Sequence, residues 1–250
     1  MTTDTDTDTD IAFLEEQHRG AGAVLASGSA ALAALPTWLT PVVSLARSVA
    51  VTDLTRWPTP PEGGRSSSVL ILFGDGSQGR DVLLIERAHD MRSHSGQPAF
   101  PGGALDPGDS GIVAAALREA VEETGLDAGG VRPFAVLPDL FVPPSGFVVS
   151  PVLAWWAKES DVSVVDTREV ASVHRVPWST LIDPVNRVKV RHPSGYIGSG
   201  FLVGDLVVWG FTGGLLDRVI ALAGWERPWD RSVIVDVDER IELFDEGPSA

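Results

Sequence analysis

The sequence predicts a mixed α/β domain. Three observations lead there. Two short apolar runs, Val69 to Phe73 and Val82 to Ile85, flank the turn-rich Gly74 to Gly79 and read as a β-hairpin. A helical period then runs from Ser110 to Thr124, with Asp109 or Ser110 as N-cap and Gly125 just past its end. Strand-like and helical segments alternate from there onward. Phe134 to Pro138, Val148 to Trp156, Val162 to Val165 and Leu202 to Phe211 read as strands. Trp178 to Ile182 reads as a helical turn after Pro177, and Leu215 to Ala223 as a closing helix. Gln97 to Phe100 suits a short strand, and Ser232 to Phe244 alternates Val and Ile with acids as a terminal strand would.

Ahead of this pattern the chain differs in character. Met1 to Asp10 is a low-complexity Thr/Asp tail, and the expected division makes 1–20 a disordered acidic tail. Residues 21–60 form a helical extension and linker, broken at Gly28, Pro36 and Pro41. Residues 61–225 form the main domain and 226–250 a C-terminal extension. The extension at Ala21 to Ala50 is expected either to pack on the domain or to mediate a homodimer.

Composition narrows the classes. The 250 residues are 44% hydrophobic, enough for a real core, and 21% charged. There is no cysteine, which excludes disulfides, thiolate zinc sites and cysteine nucleophiles. Thirty-four acidic against 19 basic residues give a net charge of −15, which repels nucleic acid and anionic membranes. Ala21 to Leu35 is too short and too weakly apolar to span a bilayer, and the acidic residues before it do not suit a signal peptide. A cytoplasmic protein without nucleic-acid or membrane partners is the expectation.

Glu119, Glu122 and Glu123 carry the most chemistry. Their i, i+3, i+4 spacing gathers three carboxylates on one side of a helix, close in sequence to the turn Pro101-Gly102-Gly103. Oxygen ligands suit a hard cation, Mg²⁺ or Mn²⁺. Metal-assisted cleavage of a phosphate linkage is therefore the leading expectation. At helical pitch Val113, Leu117, Ala120, Val121 and Thr124 make the stripe that packs on the sheet. The glutamates lie on an arc nearly opposite, with Ala115 and Ala116 leaving room above them. The plain alternative is a solvated acidic face, but like charges at this spacing repel on a bare helix.

Gly103 to Leu126 resembles the Nudix box, the signature of the Nudix hydrolases. Gly103 opens it, and Arg118-Glu119-Ala120-Val121-Glu122-Glu123-Thr124-Gly125-Leu126 closes it. Asp109 stands where the pattern has its first glutamate, and the spacing to Arg118 is one residue longer. Leu83 to Gly103 resembles the segment before the box in the coenzyme A pyrophosphatase branch, with Arg87, Arg92, Gly96 and Phe100 to Gly103 in matching positions and Ile85 and Ala88 departing from it. Ser145 to Val152 and Trp209 to Thr212 resemble two later segments of that branch.

The resemblance implies a Nudix-type α/β/α sandwich with a mixed β-sheet. It implies Glu119 and Glu123 as principal metal ligands, with Glu122 assisting and a carbonyl of the Gly102-Gly103 turn within reach. Arg118 would anchor the glutamates, and the general base would be Glu119 or Glu169. Arg87 and Arg92 are expected on substrate phosphates, with His94 a weaker candidate, and Gly102 and Gly103 beside the substrate. Lys189, Arg191 and His192 make a second basic spot, read as an exposed loop. Trp209 is expected in the core, and one of Trp155 and Trp156 with it. The implied substrate is a nucleotide of the coenzyme A type, split to 3′,5′-ADP and 4′-phosphopantetheine. Two alternatives stand beside it: another nucleoside diphosphate derivative such as ADP-ribose or NADH, and a binding module without turnover.

Overall fold

The computed structural model describes residues 4–18, 20–88, 96–143 and 145–237. Its helices are α1 (Asp4–Gln17), α2 (Ala30–Ala33), α3 (Thr40–Ser48), α4 (Val51–Leu54), α5 (Ile112–Thr124), α6 (Trp178–Ile182) and α7 (Gly210–Leu222). The strands are β1 (Ala23–Val24), β2 (Arg65–Gly76), β3 (Gly79–Arg87), β4 (Pro98–Ala99), β5 (Gly102–Ala104), β6 (Val131–Val136), β7 (Leu140–Val142), β8 (Phe147–Trp156), β9 (Val170–Pro177), β10 (Arg187–Arg191), β11 (Ile197–Val203), β12 (Leu206–Val208) and β13 (Ile234–Asp236).

Nine strands form one mixed sheet in the order β1-β6-β8-β2-β3-β4, with β5 on β2, β7 on β8 and β9 on β3. The long pair β2–β8 is parallel, and its neighbours are antiparallel. Helices cover both faces. Side chains alternate along β2, so Ser68 and Phe73 point to opposite sides. Ser68 pairs with Gly103, which abuts Glu119 of α5. Phe73 stacks on Trp178 of α6 at 5.4 Å and meets Trp38, just before α3, at 6.0 Å. The expected α/β/α sandwich follows. A smaller sheet, β12-β11-β10-β13, adds a second layer; the sequence reading has strands near β11, β12 and β13 but none at β10. Among the described residues no helix is long and apolar enough to cross a membrane.

Four expectations need correction. The supposed disordered tail is helical from Asp4 to Gln17. It is anchored where its polarity ends: Leu14 is fully buried, and His18 lies 2.8 Å from Asp139. The extension that follows shares the main core through Leu25, Leu39, Val42 and Leu45, and β1 adds a strand next to β6. Val162 to Val165 is not a strand. Ser163 and Val165 donate instead to the open carbonyls of Thr124 and Glu123 at the end of α5. Leu202 to Phe211 is broken by a turn at Gly204 and Asp205, and α7 already begins at Gly210. The terminal strand is Ile234–Asp236, and its remainder from 238 lies outside the described residues.

Candidate active site

Helix α5 carries the acidic cluster, and its start is held from far away. Its N-cap is Gly111, which has no side chain to offer. Glu15 of α1 fills that role, accepting from the backbone N–H groups of Ile112 at 3.0 Å, Val113 at 2.7 Å and Ala114 at 3.4 Å. A carboxylate there meets both the orphan donors and the positive end of the helix dipole. A Cβ at position 111 would overlap that carboxylate, so the glycine is a packing requirement. Neither Asp109 nor Ser110 is the cap, contrary to the sequence reading.

Asp109 has another task. Both of its oxygens accept from Arg118, at 2.9 and 3.1 Å. Arg118 also reaches Glu119 at 3.0 Å, Glu122 at 3.1 Å and the carbonyl of Ala104 on β5 at 3.2 Å. This guanidinium is the hub that ties the helix to the glycine turn. Its hydrogen bonds hold the Asp109 carboxyl below the usual range.

The carboxylates do not share one environment. Glu122 is 60% exposed and bound to Arg118. Glu119 and Glu123 turn inward toward β5 and line a cavity of about 610 Å³. Glu123 is 2% exposed and accepts from the backbone N–H of Gly102 at 3.0 Å. Burial pushes its pKa up to about 8, against the pull of that N–H and of Arg87. Burial also raises Glu119, against Arg118. Gly103 has no room for a Cβ, because the Glu119 carboxylate occupies that space.

The helix face therefore differs from the sequence reading. Ala115 and Ala116 are fully buried and leave no approach, whereas Val121, expected on the sheet side, is 38% exposed. The inward face runs through Ala116, Ala120 and Glu123, so the polar group lies on the packed side and hydrophobicity alone misplaces the stripe.

The cavity gathers other expected residues. Glu169, in the turn just before β9, lines it, and so does Arg87 at the end of β3. The Glu169 carbonyl accepts from the N–H of Ala88, which sets the two segments side by side. The Nε of Arg87 is buried without a hydrogen-bond partner among the described residues. Gly102 and Gly103 form part of the wall. Arg92 and His94 lie outside the described residues. Glu122 and Arg118 are not in the lining and act on it through Glu119. Trp209 is 4% exposed, as expected for core, yet it also borders the cavity and stacks on His192. Trp155 and Trp156 are not part of the cavity wall; Trp155 packs on Trp38 instead.

Two contributors carry no local signal. Arg65 lines the cavity with its guanidinium 4.1 Å from the Phe147 ring, but a lone cation at a strand end looks like any solvated position. Glu15 acts on α5 across 97 residues. No periodicity or spacing marks either one.

Among the described residues no group of three or more acidic or histidine side chains is already placed to hold a metal ion. The donor set nonetheless suits a divalent cation. Glu119, Glu123 and Glu169 border one cavity, and each of the other two opposes the ionisation of Glu123. A hard cation would relieve that repulsion with oxygen donors alone.

Residues 64–194, just over half of the chain, match the NUDIX domain profile. The chain belongs to the Nudix family. Its Nudix box, Gly103 to Leu126, holds the Arg118 hub described above. The Nudix hydrolase NudL of Salmonella paratyphi B, described as uncharacterized, is 45% identical over 91 residues, covering 34% of this chain and 47% of the relative. The Salmonella newport protein of the same description matches equally. This chain thus aligns with about half the length of the curated relatives it matches. Among solved structures, the Nudix hydrolase RenU of M. smegmatis is 20% identical with a TM-score of 0.45, over 70% of this chain and 98% of that one. A C. elegans Ap4A hydrolase complex is 19% identical with a TM-score of 0.43, over 64% and 98%.

Proposed function

We propose that this Nudix protein is a metal-dependent hydrolase that splits the diphosphate of coenzyme A or an acyl-coenzyme A into 3′,5′-ADP and 4′-phosphopantetheine. One observation carries the reading. Three segments far apart in sequence resemble the coenzyme A pyrophosphatase branch, and all three meet at the same cavity. Arg87, Phe100 and Gly103 come from the first, Ser145 and Phe147 from the second, and Phe211 and Thr212 from the third. A likeness confined to the Nudix box would support only the coarser activity.

Glu119 and Glu123 would hold Mg²⁺ or Mn²⁺, with Glu122 beside them on the solvent side. The ion supplies Lewis acidity to the diphosphate and makes the attacking water more acidic. The residues of the chain do the rest. Arg87, whose Nε has no hydrogen-bond partner among the described residues, binds the phosphate oxygens. Water forms the new P–O bond, the bridging P–O bond breaks, and Glu169 accepts the proton from the water. Glu119 is the poorer base, because one of its oxygens is held by Arg118. Arg118 keeps Glu119 and the glycine turn in register.

The test is a substrate panel with Mg²⁺ or Mn²⁺: coenzyme A, ADP-ribose, NADH and diadenosine polyphosphates. The expected result is release of 3′,5′-ADP from coenzyme A at the highest kcat/KM. Faster turnover of ADP-ribose or NADH transfers the claim to another nucleoside diphosphate derivative. No metal-dependent turnover of any of them leaves only a binding module.

A further inference from the structure

We propose that a second cavity, next to the catalytic one, binds the phosphorylated nucleoside end of the substrate and reads a phosphate outside the scissile diphosphate. The inference rests on the hydrolase reading above and adds the place where substrate choice is made.

The cavity measures about 550 Å³ and shares Val142 and Phe211 with the catalytic cavity. A ligand seated at the carboxylates therefore has a neighbouring chamber for its remote part. Its walls combine flat aromatic faces with cations. Arg56 lies 4.9 Å from the ring of Trp57 and 5.9 Å from that of Tyr196. Trp57 is 46% exposed, a high value for a tryptophan. Lys189 donates to Ser199 at 3.1 Å, and Arg218 stands on the α7 side.

Charge is the deciding feature. The chain carries a net −15, and three of its buried or half-buried cations, Arg118, Arg175 and Arg187, are consumed by carboxylates. Among the described residues Arg56, Lys189 and Arg218 form no ion pair. Asp217, the acid in the same wall, is taken by Arg187. Partial burial lowers the pKa of Lys189, Asp217 works against this, and Arg231, Arg187 and Arg218 add to it. An anion entering here would find a positive field that the protein leaves uncompensated. An apolar tail would fit the aliphatic wall but would offer no charge to Arg56, Lys189 and Arg218. A base stacked on an aromatic face with its phosphate on the cations satisfies both parts of the wall.

The location supports a selective role. Residues 54–57 and 196–218, which supply most of this wall, fall outside the stretch 64–194 that matches the family. The catalytic carboxylates lie inside it. Lys189 and residues 140–143 of the wall lie inside it as well.

The test is calorimetric titration of the full chain, with Mg²⁺ present, by 3′,5′-ADP and by 5′-AMP. These ligands differ only in the 3′-phosphate. The wild type is expected to prefer 3′,5′-ADP by on the order of tenfold or more, the effect of one or two charge-assisted contacts. In Lys189→Ala combined with Arg218→Ala that preference closes to within about twofold, with the thermal transition retained. Arg56→Ala, at an exposed position, gives the same direction without touching the core. Equal affinities in the wild type, or a preference that survives all three substitutions, overturn the inference. Absence of coenzyme A hydrolysis with the preference intact sinks the hydrolase reading and leaves the pocket standing. Hydrolysis with no preference does the reverse.

Discussion

Around Arg118 every partner among the described residues comes from nearby sequence: Ala104, Asp106, Asp109, Glu119 and Glu122. Around Lys189 the wall is assembled from residues 54–57, 140–143, 189–199 and 210–218. The first cation is saturated by carboxylates, and the second forms no ion pair among the described residues. The difference separates two kinds of encoding. A catalytic framework that needs fixed distances is written into helical pitch and one tight turn. A pocket that must receive an outside anion is left electrostatically open, and distant segments bring it together.

Breaking the first region should have the largest effect. Glu123→Gln removes a buried ligand while keeping its shape, and the hydrolytic rate is expected to fall by several orders of magnitude with folding intact. An unchanged rate removes Glu123 from the site. The same variant carries a pH signature in metal-free protein. An unfolded glutamate ionises near 4.5, whereas burial holds Glu123 protonated up to about 8. Between those values the unfolded state releases a proton that the folded state keeps, so stability falls as pH rises through the window. In urea titrations with EDTA, Glu123→Gln should show a shallower fall than the wild type; identical slopes would show that Glu123 does not set this dependence.

A smaller loss is expected from Arg118→Lys. An ammonium cannot bridge both oxygens of Asp109 and still reach Glu119 and the Ala104 carbonyl. Activity or metal affinity should drop about 10–100-fold, the usual result of disturbing groups that orient metal ligands. Measured as the Mn²⁺ concentration for half-maximal rate, a wild-type value would show that the hub is structural only.

The smallest effect belongs to Glu15→Ala. It leaves the first N–H groups of α5 without their acceptor, at a cost of about 1–2 kcal/mol. The denaturant midpoint reads this directly, and Glu15→Gln should recover part of it. A midpoint unmoved by Glu15→Ala would mean that water replaces the cap.

Much of the framework was legible beforehand, because short-range periodicities encode it. The hairpin β2–β3, the strand β8, the turn at Trp178 and the helix ending at Gly125 all appear where alternation or helical pitch places them. Glu119, Glu123, Arg87, Gly102, Gly103 and Glu169, all singled out from the sequence, line one cavity. The α1 helix was not legible, since a Thr/Asp run has no apolar period and its order comes from Leu14 and Glu15 docking at its far end. Glu123 facing inward was equally hidden, because a carboxylate on the packed face violates the amphipathic pattern used to orient the helix.

The sequence by itself determined the spacing of the proposed site: a glycine turn, an arginine and three glutamates, the last four on one helix whose pitch sets their relative positions. The tertiary structure alone decided which glutamates turn inward, which residue caps their helix and where unpaired cations collect. Those outcomes depend on contacts between segments up to about 160 residues apart, and only burial, charge and packing in the assembled fold select them.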